Sequence, residues 1–214
     1  MQRPEHHGKK PVLSQWSWTD TVGSWTWPGF TGKPVVVEVY SAADEVELLI
    51  NGRSIGKSPA GEAQRFTATF DIAYEPGTLE AIAYRDGQGV SRTSLTSANG
   101  PLVLSAAADR EELPADGTDV AFIEVTLTDS AGTVATGADR LLTAAVTGPG
   151  ELVAFGSGRP CTEESYQADT HTTFDGRALA VVRATGPGDI TLAVSSHDGL
   201  SAAVTLTAAL AGDG

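Results

Sequence analysis

PVVVEVYSAADEVELLINGRSIGK, residues 34–57, decides the fold. Its opening, PVVVEVYS (34–41), is a β-branched run of the kind that fits a pleated, half-buried surface. EVELLINGRSIGK (45–57) then alternates apolar and polar residues around Asn51-Gly52. Asn-Gly is the strongest short hairpin signal, because both turn positions take positive φ and these two residues tolerate it. The stretch therefore predicts a strand followed by a tight hairpin.

The same pattern continues downstream. RFTATFDI (65–72) places Phe66, Ala68, Phe70 and Ile72 on one face at period two. GTLEAIAYRDGQGVSR (77–92) does so with Leu79, Ala81 and Ala83, then turns at Asp86-Gly87. Strands at roughly ten-residue spacing predict a small sandwich. SANGP (97–101) interrupts the pattern, and the strands resume in LVLSAAA (102–108), VAFIEVTLTDSAG (120–132), LLTAAVTG (141–148), GELVAFG (150–156), RALAVVRAT (177–185), DITLAVSS (189–196) and LSAAVTLTA (200–208). In VAFIEVTLTD, Phe122 or Ile123 heads each face; Val125 and Leu127 share one side, Glu124, Thr126 and Thr128 the other. The stretch 157–176 is the longest without a strand signal and reads as a loop, and loops of that length are often functional. Helical periodicity appears nowhere, so the fold class is all-β.

Charge divides the chain at the same place. The net charge of −13 comes from 14 Lys and Arg against 27 Asp and Glu. Nine basic and eleven acidic residues lie up to Ala98, and five and sixteen from Asn99 onward. Two domains meeting near residue 99 are expected. Nucleic acid and anionic membrane are not expected partners, because both need clustered Lys and Arg. Cys161 is the single cysteine, so an intrachain disulfide and a thiolate zinc site are excluded. The start, MQRPEHHGKKP, lacks the apolar run of a signal peptide, and no segment has the roughly 20 apolar residues of a membrane helix. The sequence does not fix the compartment; it leans only slightly to the cytoplasm.

No catalytic centre is recognisable. Glu111-Glu112 and Glu163-Glu164 are sequence neighbours, which point to opposite faces of a strand or into solvent from a loop, whereas glycoside cleavage needs carboxyls at a fixed separation across a cleft. His6-His7, His171 and His197 supply too few ligands for a metal. ADGTD (115–119) and TDSAG (128–132) read as Asp-Gly turn chemistry rather than calcium loops. Cys161 needs a basic partner to be a nucleophile; His171 lies ten residues on, but nothing in the sequence places the two together. No cofactor is expected.

The candidate functional residues are the tryptophans. Trp16, Trp18, Trp25 and Trp27 all fall within twelve residues, QWSWTDTVGSWTWPGF holding all four, in a stretch rich in Gly and Pro. Aromatic rings join large apolar area to a polar handle. Three readings stay open: a platform on which sugar rings stack, a docking surface for another domain, and plain core beneath the first sandwich.

SWTWPGFTGKPVVVEVYSAADEVELLINGRSIGK resembles the junction of glycoside hydrolase family 2 enzymes, where the chain leaves the catalytic barrel and enters an immunoglobulin-like domain. YEPGTLEAIAYRDGQ (74–88) continues that likeness. LPADGTDVAFIEVTLTDSAG (113–132), VTGPGELVAFGSGRP (146–160) and TFDGRALAVVRATGPGDITLAVSS (173–196) are similar to a later C-terminal domain of the same family, itself adhesin-like. Where that family's loop carries Gly-Asn-Gly, this chain has Gly156-Ser157-Gly158.

The resemblance implies a post-barrel linker and Trp-rich strap over 1–32, then two immunoglobulin-like β-sandwich domains in tandem, 33–97 and 98–214. It implies a parent that is a retaining glycosidase of the β-galactosidase kind, with both catalytic glutamates on a barrel preceding residue 1. No position here matches their motifs. The implied partners are the parent's own barrel and other subunits, with the tryptophans as a docking strap. The alternative is a carbohydrate-binding module built on the same four rings.

Overall fold

The computed structural model describes residues 1–9, 15 and 19–210. The chain divides into two compact units, 1–97 and 98–214. Both are built from β-strands, with two three-residue 3-10 turns, Pro4–His6 and Glu62–Gln64, as the only helical elements among the described residues. No helix among them is long and apolar enough to cross a membrane.

In the first unit, β1 (Pro34–Tyr40) pairs antiparallel with β4 (Thr67–Ala73). A four-stranded sheet faces them in the order β3 (Arg53–Pro59), β2 (Glu45–Ile50), β5 (Thr78–Arg85), β6 (Gln88–Thr96). Asn51 and Gly52 join β2 to β3 with φ of 51° and 77°, and Asp86 and Gly87 join β5 to β6 with 51° and 74°. These are the paired positive angles that two-residue hairpins need to match strand twist. The alternation buries Val46, Leu48 and Ile50 against Val35, Val37, Ala68 and Phe70, so both sheets share one core.

One expected face member is elsewhere. Phe66 is 48% exposed and has φ of 61°. The 3-10 turn before it ends on Arg65, also left-handed at 53°, so the strand starts only at Thr67. Period two predicted a strand residue, and the preceding turn displaced it.

In the second unit, one sheet runs β11 (Gly150–Gly156), β13 (Arg177–Ala184), β9 (Val120–Thr128), β7 (Val103–Ala108). The other runs β12 (Thr170–Thr172), β10 (Leu141–Thr147), β14 (Gly188–Ser196), β15 (Ser201–Ala209), β8 (Glu112–Pro114). All pairings are antiparallel except β15 with β8. Ile123, Val125 and Leu127 of β9 point into a core shared with Phe155, Val182, Ile190, Leu192 and Leu206. Phe122 therefore heads the outward face of β9, with Glu124 and Thr126. The long loop contains the short strand β12 and ends in a hairpin at Asp175-Gly176, with φ of 53° and 71°.

Candidate functional site

The strap segment is folded into the first unit. Trp25 is 0% exposed and Trp27 4%, both in the core with Val35, Leu48 and Phe70. Tyr74, at the end of β4, organises them. Its ring meets Trp25 edge-on, centroids 4.8 Å apart at 65°. Its hydroxyl donates to the Trp25 carbonyl at 3.1 Å and accepts the Trp27 backbone N–H at 3.1 Å. The Ser97 hydroxyl also donates to the Trp25 carbonyl and accepts the Gly77 N–H at 3.1 Å. The Trp25 indole N–H donates to the Glu75 carbonyl at 3.0 Å. An irregular ribbon rich in Pro and Gly has few backbone partners of its own, and here side chains from 47 to 72 residues away supply them.

This placement corrects one expectation. Trp25 and Trp27 present no open face to a pyranose or to another domain; they are core, the third of the three readings. Burying such a ring removes about 150–250 Å² from water, roughly 4–6 kcal/mol as an upper bound. That gain is available within the unit itself, so the segment closes onto its own sheet. Trp16 and Trp18 lie outside the described residues.

The other sequence candidates are dispersed. His6 Nδ1 lies 3.2 Å from Asp20 and His7 Nε2 3.5 Å from Asp71, so the adjacent histidines face different carboxylates. No cluster of three or more potential metal ligands occurs among the described residues. Asp129 accepts the backbone N–H groups of Asn99, Ala131 and Thr133, each at 2.9 Å. Those donors, Asn99 first, hold its carboxyl below the usual aspartate range. Asp116 does the same for the Thr118 and Asp119 N–H groups, and its carboxyl is lowered in turn. Both loops are Asx turns whose carboxylates are occupied by backbone. Cys161 is exposed with a free thiol.

The feature that sequence reasoning missed lies on the outward face of the β11-β13-β9-β7 sheet. Register sets Phe122 beside Val181 and Glu124 beside Leu179. Val181 stands beside Ala154, and Ala107 beside Glu124. Large apolar side chains thus occupy the middle strands and small ones the edges, leaving a trough of about 750 Å³. Phe122 is 44% exposed, and Tyr166 of the long loop, 49% exposed, forms a wall. Glu124 pairs with Arg177 on this face. Asp109 lies at the β7 end, where its carboxylate accepts the Phe122 N–H at 2.9 Å. An outward sheet face normally carries polar residues. An aromatic at position 122, on the parity shared with Glu124 and Thr126, was the signal available in the sequence.

The long loop is held against the sheet by its own side chains. Glu164 accepts the Thr172 N–H at 3.0 Å and its hydroxyl at 2.7 Å. Burial pushes the Glu164 carboxyl up, but the Thr172 donors and nearby His171 outweigh it, so the net shift is downward. Arg159 reaches Asp139 at 2.6 Å and lies 5.0 Å from the centroid of the Phe174 ring. Tyr166 stacks on the fully buried His171 at 5.3 Å between centroids.

Comparison with known proteins follows these two units. Residues 104–205 match the family described as glycoside hydrolase family 2 C-terminal domain 5. Residues 32–91 match a domain of unknown function, DUF4982. The chain is 30% identical over 196 residues to the beta-galactosidase BoGH2A of Bacteroides ovatus, covering 90% of this chain and 21% of that protein. It is 30% identical over 163 residues to a putative beta-glucuronidase of Formosa agariphila, covering 75% and 16%. The chain thus spans about a fifth or less of these relatives. Among solved structures, a glycosyl hydrolase family 2 member from Bacteroides cellulosilyticus superposes with a TM-score of 0.86 at 32% identity, covering 93% of this chain and 26% of that one. Matches to both units, collinear with single family 2 proteins, identify the chain as the C-terminal region of a glycoside hydrolase family 2 protein.

Proposed function

We propose that this chain is the non-catalytic C-terminal part of a retaining, β-galactosidase-like glycosidase. In this reading it buttresses the catalytic barrel and supplies domain or subunit contacts. The observation that carries it is the alignment of 90% of the chain with only 21% of a beta-galactosidase. The carboxylates described here also serve structure: Asp116, Asp129 and Glu164 are engaged by backbone and hydroxyl donors. Hydrolysis by two opposed carboxyls needs at least one poised for proton transfer.

Docking in this reading runs through surfaces other than the Trp25 and Trp27 rings, with Trp16 and Trp18 the remaining strap candidates. The test has two arms. The isolated chain, given nitrophenyl β-galactoside and nitrophenyl β-glucuronide, should release nitrophenol no faster than a blank. The parent enzyme lacking residues 98–214 should lose thermal stability or subunit association while each folded molecule keeps its turnover. Turnover by the isolated chain would overturn the proposal.

A further inference from the structure

The trough on the second unit has the shape and chemistry of a small-ligand site. Its volume, about 750 Å³, falls in the range that takes a mono- or disaccharide. Two aromatic rings, Phe122 and Tyr166, border it, and each is nearly half exposed. The C–H face of a pyranose is apolar and lies flat on such rings. Its equatorial hydroxyls need planar charged acceptors and donors at the ring edge, where charge-assisted hydrogen bonds are strongest. Glu124, Arg177 and Asp109 supply both kinds beside the rings.

Two further observations separate this trough from an accidental hollow. Tyr166 is set in place before any ligand arrives: its ring stacks on His171, and its backbone carbonyl accepts the Phe155 N–H at 2.8 Å. A Cβ at position 156 would come within 2.1 Å of that ring, so Gly156 is what lets the ring lie against the end of β11. The second observation is Ser157. The residue lines the trough, and its hydroxyl oxygen is buried beneath the surface with no hydrogen-bond partner among the described residues. Buried hydroxyls are normally paired, because an unmade bond forfeits the hydration the group had in water. Rotation of the Ser157 side chain about χ1 would bring the hydroxyl to a ligand, whose own hydroxyl would complete it.

We infer that the outward face of β7, β9, β11 and β13 is a carbohydrate-binding site, with Phe122 and Tyr166 as stacking rings and Glu124, Arg177, Asp109 and Ser157 as hydroxyl partners. The choice of a glycan rests on the family 2 reading; the rings and the unpaired hydroxyl do not. No tryptophan is among its lining residues, and it holds sugar without cleaving it.

The test is isothermal titration of the 214-residue chain with lactose and with methyl β-glucuronide, backed by saturation-transfer NMR. Millimolar binding of at least one sugar is expected. Phe122→Ala should weaken it at least tenfold, and Ser157→Ala severalfold. Tyr40→Ala, on the exposed edge of the first unit, should leave it unchanged. Phe122 faces outward, so its variant should fold, and an unchanged circular dichroism melt checks this. No binding of either sugar at concentrations well above millimolar, or binding indifferent to Phe122→Ala, overturns the inference. So does a Phe122→Ala variant whose one change is in sedimentation, which would make the trough a protein interface. Nitrophenol release reports on the family reading independently, so the two can fail separately.

Discussion

The Tyr74 hydroxyl and the Trp25 carbonyl lie 3.1 Å apart although 49 residues separate them in sequence. That bond, with the edge-on ring contact, fixes an irregular leading segment to the end of a strand. Tyr74→Phe keeps the ring and removes the hydroxyl, leaving the buried Trp27 N–H without its acceptor. The expected cost is about 1–3 kcal/mol. Urea unfolding followed by tryptophan fluorescence measures it selectively, since all four tryptophans belong to the first unit. An unchanged midpoint would show that the ring contact alone suffices.

Trp25→Ala should be more damaging. Removing a fully buried indole typically costs about 3–5 kcal/mol, a large share of what a small domain has. The first unit should unfold at markedly lower urea while the second keeps its own transition by far-ultraviolet circular dichroism. Sugar binding by the second unit should survive. A Trp25→Ala chain of native stability would mean that the segment is not core in solution.

Gly148→Ala should destabilise the second unit. Gly148 has φ of 87°, and a Cβ there would sit 2.1 Å from the Asp189 carbonyl oxygen, a backbone atom that cannot swing away. Left-handed strain and overpacking each cost about 1–3 kcal/mol. Thermal melts should show a lower second-unit transition, and Gly132→Ala, with open space around its Cβ, a smaller shift.

The second unit should be the acid-labile one. Asp116, Asp129, Glu164 and Asp198 all have carboxyls held below their usual values: Thr118 does this for Asp116, Asn99 for Asp129, Thr172 against burial for Glu164, and Ser196 then Arg140 for Asp198. A depressed folded value means that the unfolded chain binds protons more readily. The stabilisation is therefore complete above the unfolded carboxyl values of about 4 and is lost as pH falls through the folded ones. In the first unit, Glu47 is lowered in the same way by Ser54 and Tyr84. Asp129→Asn should flatten the second unit's loss of stability as pH falls below about 4, read from urea midpoints at each pH. A variant with the same slope as the parent would remove Asp129 from the account.

Turn chemistry was the most legible part of the sequence. Asn51-Gly52 and Asp86-Gly87 act through their own φ angles, so the two hairpins could be read from two residues each. Asp175-Gly176 works identically, but the strand before it, β12, is too short to show a period, so only β13 marked one side of the turn. β8 and β12 are three residues long, and β8 is held by a parallel partner over ninety residues away, so no local pattern marks either. Trp25 and Trp27 failed for the same reason: their burial depends on Tyr74 and Ser97, which no window around residues 16–27 contains. The trough is harder still to see, since Phe122, Val181 and Ala154 come together only once three strands are in register.

The position of β15 has a consequence for synthesis on the ribosome. It lies between β14 and β8, so the five-stranded sheet stays open until residues 201–209 have emerged from the exit tunnel. The first unit completes all its pairings by Thr96 and can close more than a hundred residues earlier. A nascent chain stalled near residue 200 should present a protease-resistant first unit joined to a second whose apolar half-sheet is bare. That interval, rather than the finished molecule, is when the chain most needs a chaperone.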